Sequence, residues 1–140
     1  MLPKTHIILG IIFSIALLYF FKISLFSASL VFSTSVLIDF DHYLFYFSRN
    51  KNLNLKKAYY WHKSIPDNHK PIMQTFHSIE FLLLVLLLSF IWKPFIFILI
   101  GMIFHSIIDI IDIYSKIHNL KAREFSLIRY LFAKDKSVYF

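Results

Sequence analysis

Nine ionisable side chains stand at or just beyond the ends of apolar stretches in this chain of 140 residues. They are His6, Asp39, Asp41, His42, His77, Glu80, His105, Asp109 and Asp112. Three pairs have i,i+3 or i,i+4 spacing, which places both side chains on one helix face: Asp39 with His42, His77 with Glu80, and His105 with Asp109. Helical bundles hold metal ions with such carboxylate and imidazole pairs. Because the chain has no Cys, a metal site must use these ligand types.

The nine residues divide into expected metal ligands and expected catalytic groups. We expect metal to be bound by His6, Asp39, His42, His77, His105 and Asp109. We expect Asp41 and Asp112 to act beside it as bridging ligand, general base or orienting group, and Glu80 to act as a further catalytic group or as an additional ligand. Asp39 and Asp41 cannot both face inward from a regular helix, so either the helix unwinds there or Asp41 orients a ligating histidine. The mixture favours zinc, with manganese or iron as alternatives, as one or two ions.

The elements that position these residues are predicted to be membrane-spanning helices. The chain is 58% hydrophobic and 16% charged, against roughly 45–50% and about 25% in soluble domains. Four runs lack Lys, Arg, Asp and Glu, and with their polar ends they predict spans at about 5–21, 23–42, 75–92 and 94–113. The fold class is therefore predicted as all-α, a single-domain (1–140) integral membrane bundle of about four transmembrane helices. A cleavable signal peptide is the alternative for 1–21, but no small-x-small site precedes Lys22.

The soluble-looking residues fall in a loop at 48–74 and a tail at 114–140. Within the loop, Asn54 is predicted to cap a short helix over 55–63 that ends before Pro66. Its lysines alternate with aromatic residues, which favours a helix at the level of the lipid headgroups, and the basic, amphipathic tail is expected to lie there too. The remaining histidines of these segments are expected to be solvated: His62, His69 and His118.

The distribution of positive charge predicts the orientation. With four spans, 13 of the 15 cations lie on the side of the termini and the loop, and only Lys22 and Lys93 lie on the other. The positive-inside rule then places both termini and the loop in the cytoplasm, with the chain in the cell (inner) membrane. All nine ionisable residues lie at this cytoplasmic end. The net charge of +7 is thus explained by orientation, with no strong nucleic-acid signal.

The order of these residues resembles the prokaryotic membrane-bound metal-dependent hydrolase family, also described as LexA-binding, inner-membrane-associated hydrolases. The resemblance rests on Thr5-His6, Leu37-Ile38-Asp39-Phe40-Asp41-His42, Phe76-His77-Ser78 and His105-Ser106-Ile107-Ile108-Asp109. Family members have Pro at the position of Ile38 and a His-Arg-Gly segment that this chain lacks before His77. The resemblance implies a metal-dependent hydrolase with a His/Asp site.

The leading functional hypothesis is therefore a hydrolase at the membrane–cytoplasm interface, in which metal activates water against a lipid-like or phosphoester substrate. Membrane lipid is the expected partner. One alternative is a divalent-metal or proton transporter, because intramembrane carboxylates and histidines also mark ion pathways. Another is a metal-stabilised membrane adaptor that docks a cytoplasmic protein or nucleic acid through its basic loop and tail.

Overall fold

The computed structural model describes residues 3–66, 69–118, 120, 123–135 and 138. This part of the chain is mostly helical, as predicted. Its α-helices are α1 (Pro3–Phe20), α2 (Leu25–Leu37), α3 (Phe40–Asn50), α4 (Leu55–Ser64), α5 (Ile79–Ile91), α6 (Pro94–Ile117) and α7 (Leu127–Leu131). A 3₁₀ turn (Thr75–His77) precedes α5, and two short strands, β1 (Ile72–Met73) and β2 (Arg123–Glu124), complete the elements.

Helix α2 is the centre of the bundle, with α1 and α6 packed against it and α5 packed against α6. Glycines allow the close approach. A Cβ atom on Gly10 would lie 2.5 Å from Ser35 Oγ, and one on Gly101 would lie 2.2 Å from Thr34 Oγ1 and 2.5 Å from the Val31 carbonyl oxygen. Gly101 therefore allows the short distance between α2 and α6. This distance in turn determines how close the residues that follow on α6 lie to α2.

The four helices of the bundle differ in length. Among the described residues, one helix is long and apolar enough to cross a membrane by length and composition, over Pro94–Lys116. The apolar segments Lys4–Phe20 and Ile79–Ile91 are shorter. Helices α2 and α5 have 13 residues each, about 20 Å at 1.5 Å per residue, against a bilayer core of about 30 Å. The four-span arrangement thus stays a prediction.

Two predicted helix boundaries differ from the structure. The segment 23–42 forms two helices, because turn residues Ile38 and Asp39 separate α2 from α3. The third bundle helix begins at Ile79 and not near 75, because the Ser78 hydroxyl accepts the Phe81 N–H and caps α5. The fourth continues through Asp112 as predicted and ends at Ile117.

The loop helix was predicted correctly, while the strands were not predicted. Asn54 caps α4 by accepting the Lys57 N–H at 3.0 Å. Strands β1 and β2 pair in parallel, with Ile72 opposite Arg123 and Met73 opposite Glu124. This pairing joins the loop before α5 to the segment after α6, and it brings the start of the tail to the end of the bundle where the predicted ligands lie.

Candidate metal centre

Four of the predicted ligands form one compact group. His6 lies on α1, Asp39 in the turn between α2 and α3, and His105 and Asp109 one turn apart on α6. One ligand atom from each lies within 4.8 Å of the others. Residues separated by up to a hundred positions in sequence therefore converge at one end of the bundle, and this group can hold a metal ion.

The distances within the group match those of ligands sharing one ion. His6 Nε2 lies 3.2 Å from Asp109 Oδ1, and His105 Nε2 lies 3.4 Å from both Asp109 Oδ2 and Asp39 Oδ1. His6 Nε2 is 3.9 Å from Asp39 Oδ2. Tetrahedral ligands at about 2.1 Å from a zinc ion are roughly 3.4 Å apart. The donor set and its spacing thus allow the group to hold one metal ion.

A hydrogen bond on the far side of the His105 ring orients it toward the group. Its Nδ1 lies 2.7 Å from the Ser35 carbonyl oxygen and donates to it, so Nε2 is the nitrogen that faces the group. The ring is fully buried and stacks on His6, with ring centroids 4.0 Å apart. This is the arrangement by which proteins fix the tautomer of a ligating histidine.

His77 lies at the edge of the group and is oriented by Asp41. Its Nε2 is 3.8 Å from Asp109 Oδ2, and its Nδ1 is 3.4 Å from Asp41 Oδ2, which also accepts the Phe76 N–H. Both alternatives for this segment occur, since the helix breaks at Asp39 and Asp41 orients a histidine.

Two further histidines lie next to the compact group: His42 contacts Asp39, and His62 contacts His42. His42 Nε2 lies 3.1 Å from Asp39 Oδ1, while His42 Nδ1 lies 3.2 Å from His62 Nε2 and 2.7 Å from the amide nitrogen of Gln74. His62 was expected to be solvated, but it is half-buried against His42 because α4 folds back on α3. Burial lowers the pKa of His62 to about 4.

All three predicted catalytic residues lie outside the compact group, and only Asp41 contacts a residue at its edge. The Glu80 carboxylate accepts the Ser126 hydroxyl at 2.6 Å and the backbone N–H groups of Leu127 and Ile128, so it caps α7. Asp112 pairs with Lys116 Nζ at 2.7 Å, one turn further along α6.

Arg123 was not predicted to belong to the site, yet its guanidinium contacts the group directly. Nη2 donates to Asp109 Oδ2 at 2.6 Å, and the two side chains are 6% and 2% exposed. In the sequence, Arg123 is one of several cations in a basic tail, and nothing there distinguishes it. Its place depends on the parallel pairing of β2 with β1.

Comparisons with family models, with curated proteins and with solved structures found no match to this chain. The family resemblance therefore stays a prediction from the motifs themselves. The four residues of the compact group come from three of the four motif segments, and His77 comes from the remaining one.

Proposed function

We propose that this protein is a membrane-bound, metal-dependent hydrolase. The observation that carries the proposal is the hydrogen bonding of three buried imidazole nitrogens. The Nε2 atoms of His6, His77 and His105 are buried and form no hydrogen bond of favourable geometry with the described residues. They lie 3.2, 3.8 and 3.4 Å from Asp109 carboxylate oxygens. Buried polar atoms in native proteins nearly always have a partner, and a divalent cation would be a partner for all three.

In this proposal His6, Asp39, His105 and Asp109 hold the ion, with His77 beside them. Two carboxylates and two imidazoles match the preferences of zinc, manganese and iron. When bound, the cation supplies polarisation of a phosphoryl or carbonyl oxygen and activation of water. Asp41 and the Ser35 carbonyl fix the rings of His77 and His105, so these ligands keep their tautomers and directions.

Substrate would enter beside Asp39. The Asp39 side chain is 19% exposed and that of His42 is 29% exposed, whereas those of His6, His105 and Asp109 are 2% exposed or less. Catalytic metal sites keep one coordination position accessible, while structural sites are closed. The partly open edge at Asp39 and His42 therefore supports a catalytic role over a structural one.

The surface of the bundle supports placement in a membrane. Large apolar side chains on α1 and α5 face outward, among them Ile12 (58% exposed), Ile15 (60%), Leu87 (63%) and Phe90 (80%). Only 33% of the apolar window of α6 is buried, whereas the core helix of a soluble protein is mostly buried. Apolar surface of this extent is expected to face lipid. We place both termini in the cytoplasm and infer a lipid-like or phosphoester substrate.

The test is to measure metal and hydrolysis on the same detergent-purified protein. After exposure to Zn²⁺, Mn²⁺ or Fe²⁺ and removal of excess metal, the wild type should retain a stoichiometric divalent ion by mass spectrometry. It should also release nitrophenol from bis(p-nitrophenyl) phosphate. His105→Ala and Asp109→Asn should lose both, whereas His118→Ala, which changes an exposed histidine, should keep both. A wild type that retains no ion under any of these conditions would overturn the proposal.

A further inference from the structure

An open cavity of about 490 Å³ lies between α3 and α4. Its walls include Tyr46 of α3, the capping residue Asn54, and Lys57, Tyr60 and Trp61 of α4. Tyr46 is buried and its ring centroid is 5.5 Å from that of Trp61. The cavity is therefore lined by aromatic and polar side chains, and none of them belongs to the metal group.

The charge around this cavity has one sign. The 25 residues from 42 to 66 contain no Asp or Glu, and they carry five cations: Arg49, Lys51, Lys56, Lys57 and Lys63. Lys56 and Lys57 line the cavity, both are exposed, and neither forms an ion pair with a carboxylate in the described part of the chain. Two such ammonium groups beside a side-chain amide form a site for an anion with several oxygen atoms, such as a phosphate ester.

The surroundings of the cavity indicate which phosphate ester it binds. Leu53 and Leu55, the chain neighbours of Asn54, are 69% and 68% exposed, and Tyr60 is 56% exposed. A soluble phosphate would leave this apolar surface in water. A phospholipid would cover it with glycerol and acyl groups while its phosphate meets the lysines. Lysines interleaved with exposed aromatic residues are typical of a protein surface at the headgroup level.

We propose that the cavity between α3 and α4 binds the phosphate-bearing headgroup of an anionic phospholipid. This site is separate from the metal centre, and it is independent of whether that centre is catalytic. Because His62 of the same helix α4 contacts His42 beside Asp39, a lipid held here would also fix α4 against the open edge of the metal group.

Fluorescence of Trp61 provides a direct test. The chain has two Trp residues, and Trp92 lies at the end of α5, outside the cavity. In detergent-purified Trp92→Phe protein, short-chain phosphatidylglycerol should change Trp61 emission in a saturable way, and short-chain phosphatidylcholine should not. Lys56→Gln/Lys57→Gln should raise Kd for phosphatidylglycerol roughly 10- to 30-fold, because each lysine near a lipid surface contributes about one factor of five.

Two control variants accompany this double substitution. Lys56→Arg/Lys57→Arg retains the charge and should retain binding, and Lys22→Gln/Lys93→Gln removes two distant cations and should leave Kd unchanged. Unchanged melting temperatures would confirm that all variants fold. The proposal is overturned if the lysine-to-glutamine variant binds like wild type, or if phosphatidylcholine gives the same response. It is also overturned if glycerol phosphate alone binds as tightly as the lipid, since the ligand would then be a soluble phosphate.

Discussion

The buried pair of Arg123 and Asp109 makes a prediction that can be tested without an assay of activity. In Arg123→Gln, Asp109 loses a guanidinium partner in a site where both side chains are almost completely buried. Breaking a buried ion pair costs about 3–5 kcal/mol, so metal-free protein should unfold at a markedly lower temperature. Saturating Zn²⁺ should recover more stability in the variant than in wild type, because the cation would neutralise the same carboxylate.

Arg129 provides the matched control for this substitution. It pairs with Glu124 Oε2 at 3.1 Å, but its side chain is 74% exposed, so solvent screens the pair and Arg129→Gln should cost about 0–1 kcal/mol. Melting curves with and without Zn²⁺ give the comparison. Equal destabilisation by the two variants would show that Arg123 contributes only as a surface charge does.

At the residue scale, helical spacing predicted one pair of the compact group, whereas the partners of the other two spaced pairs, His42 and Glu80, lie outside it. His105 and Asp109 are one turn apart on α6, so their common face follows from helix geometry. No helical spacing of this kind connects a ligand to Arg123, Gln74 or His62 in the sequence. Their positions depend on the β1–β2 pairing and on the fold of α4 back onto α3, both of which are long-range contacts that a local pattern does not encode.

At the scale of elements, the two glycines of the bundle should differ in their tolerance to alanine. A Cβ on Gly101 meets the Val31 backbone oxygen at 2.5 Å, which cannot move without separating α2 from α6, whereas a Cβ on Gly10 meets the Ser35 hydroxyl, which can rotate. Gly101→Ala should therefore lose about 1–3 kcal/mol or more through overpacking. Gly10→Ala should be near neutral, because alanine gains about 1 kcal/mol of helix propensity.

Thermal unfolding in detergent ranks the two alanine variants, and metal retention adds an independent measurement. His105 lies one turn after Gly101 and bonds to the Ser35 carbonyl of α2, so Gly101→Ala should also weaken metal binding. Gly10→Ala should retain it. The reverse order of stabilities would mean that α2 and α6 are not held at the distance described above.

The sequence predicted most helices because apolar periodicity and capping residues act locally. Asn54 and the following helix α4 were predicted for this reason, as was the course of α6 past Asp109. The sequence did not decide whether the helix breaks at Ile38 and Asp39, because the residues there are compatible with a helix. The break depends on the long-range contacts that Asp39 and Asp41 make. The start of α5 was placed too early for the same reason, since the 3₁₀ turn over Thr75–His77 is fixed by the contacts of Asp41 with Phe76 and His77.

For the whole molecule, the predicted orientation can be tested by labelling, and the absence of Cys from the chain leaves no background. Single cysteines are introduced at Lys63, in α4, and at Lys93, in the turn between α5 and α6; both positions are exposed. A membrane-impermeant maleimide should label Lys93→Cys in intact bacterial cells and Lys63→Cys only in inverted membrane vesicles, because 13 of 15 cations lie on the proposed cytoplasmic side. Labelling of both positions from the same side would contradict the single crossing predicted between them, so α5 would not be a membrane span. It would leave α6, the one described helix that meets the length and hydropathy requirements, as the remaining candidate span, and the metal group would then have to be placed relative to that helix alone.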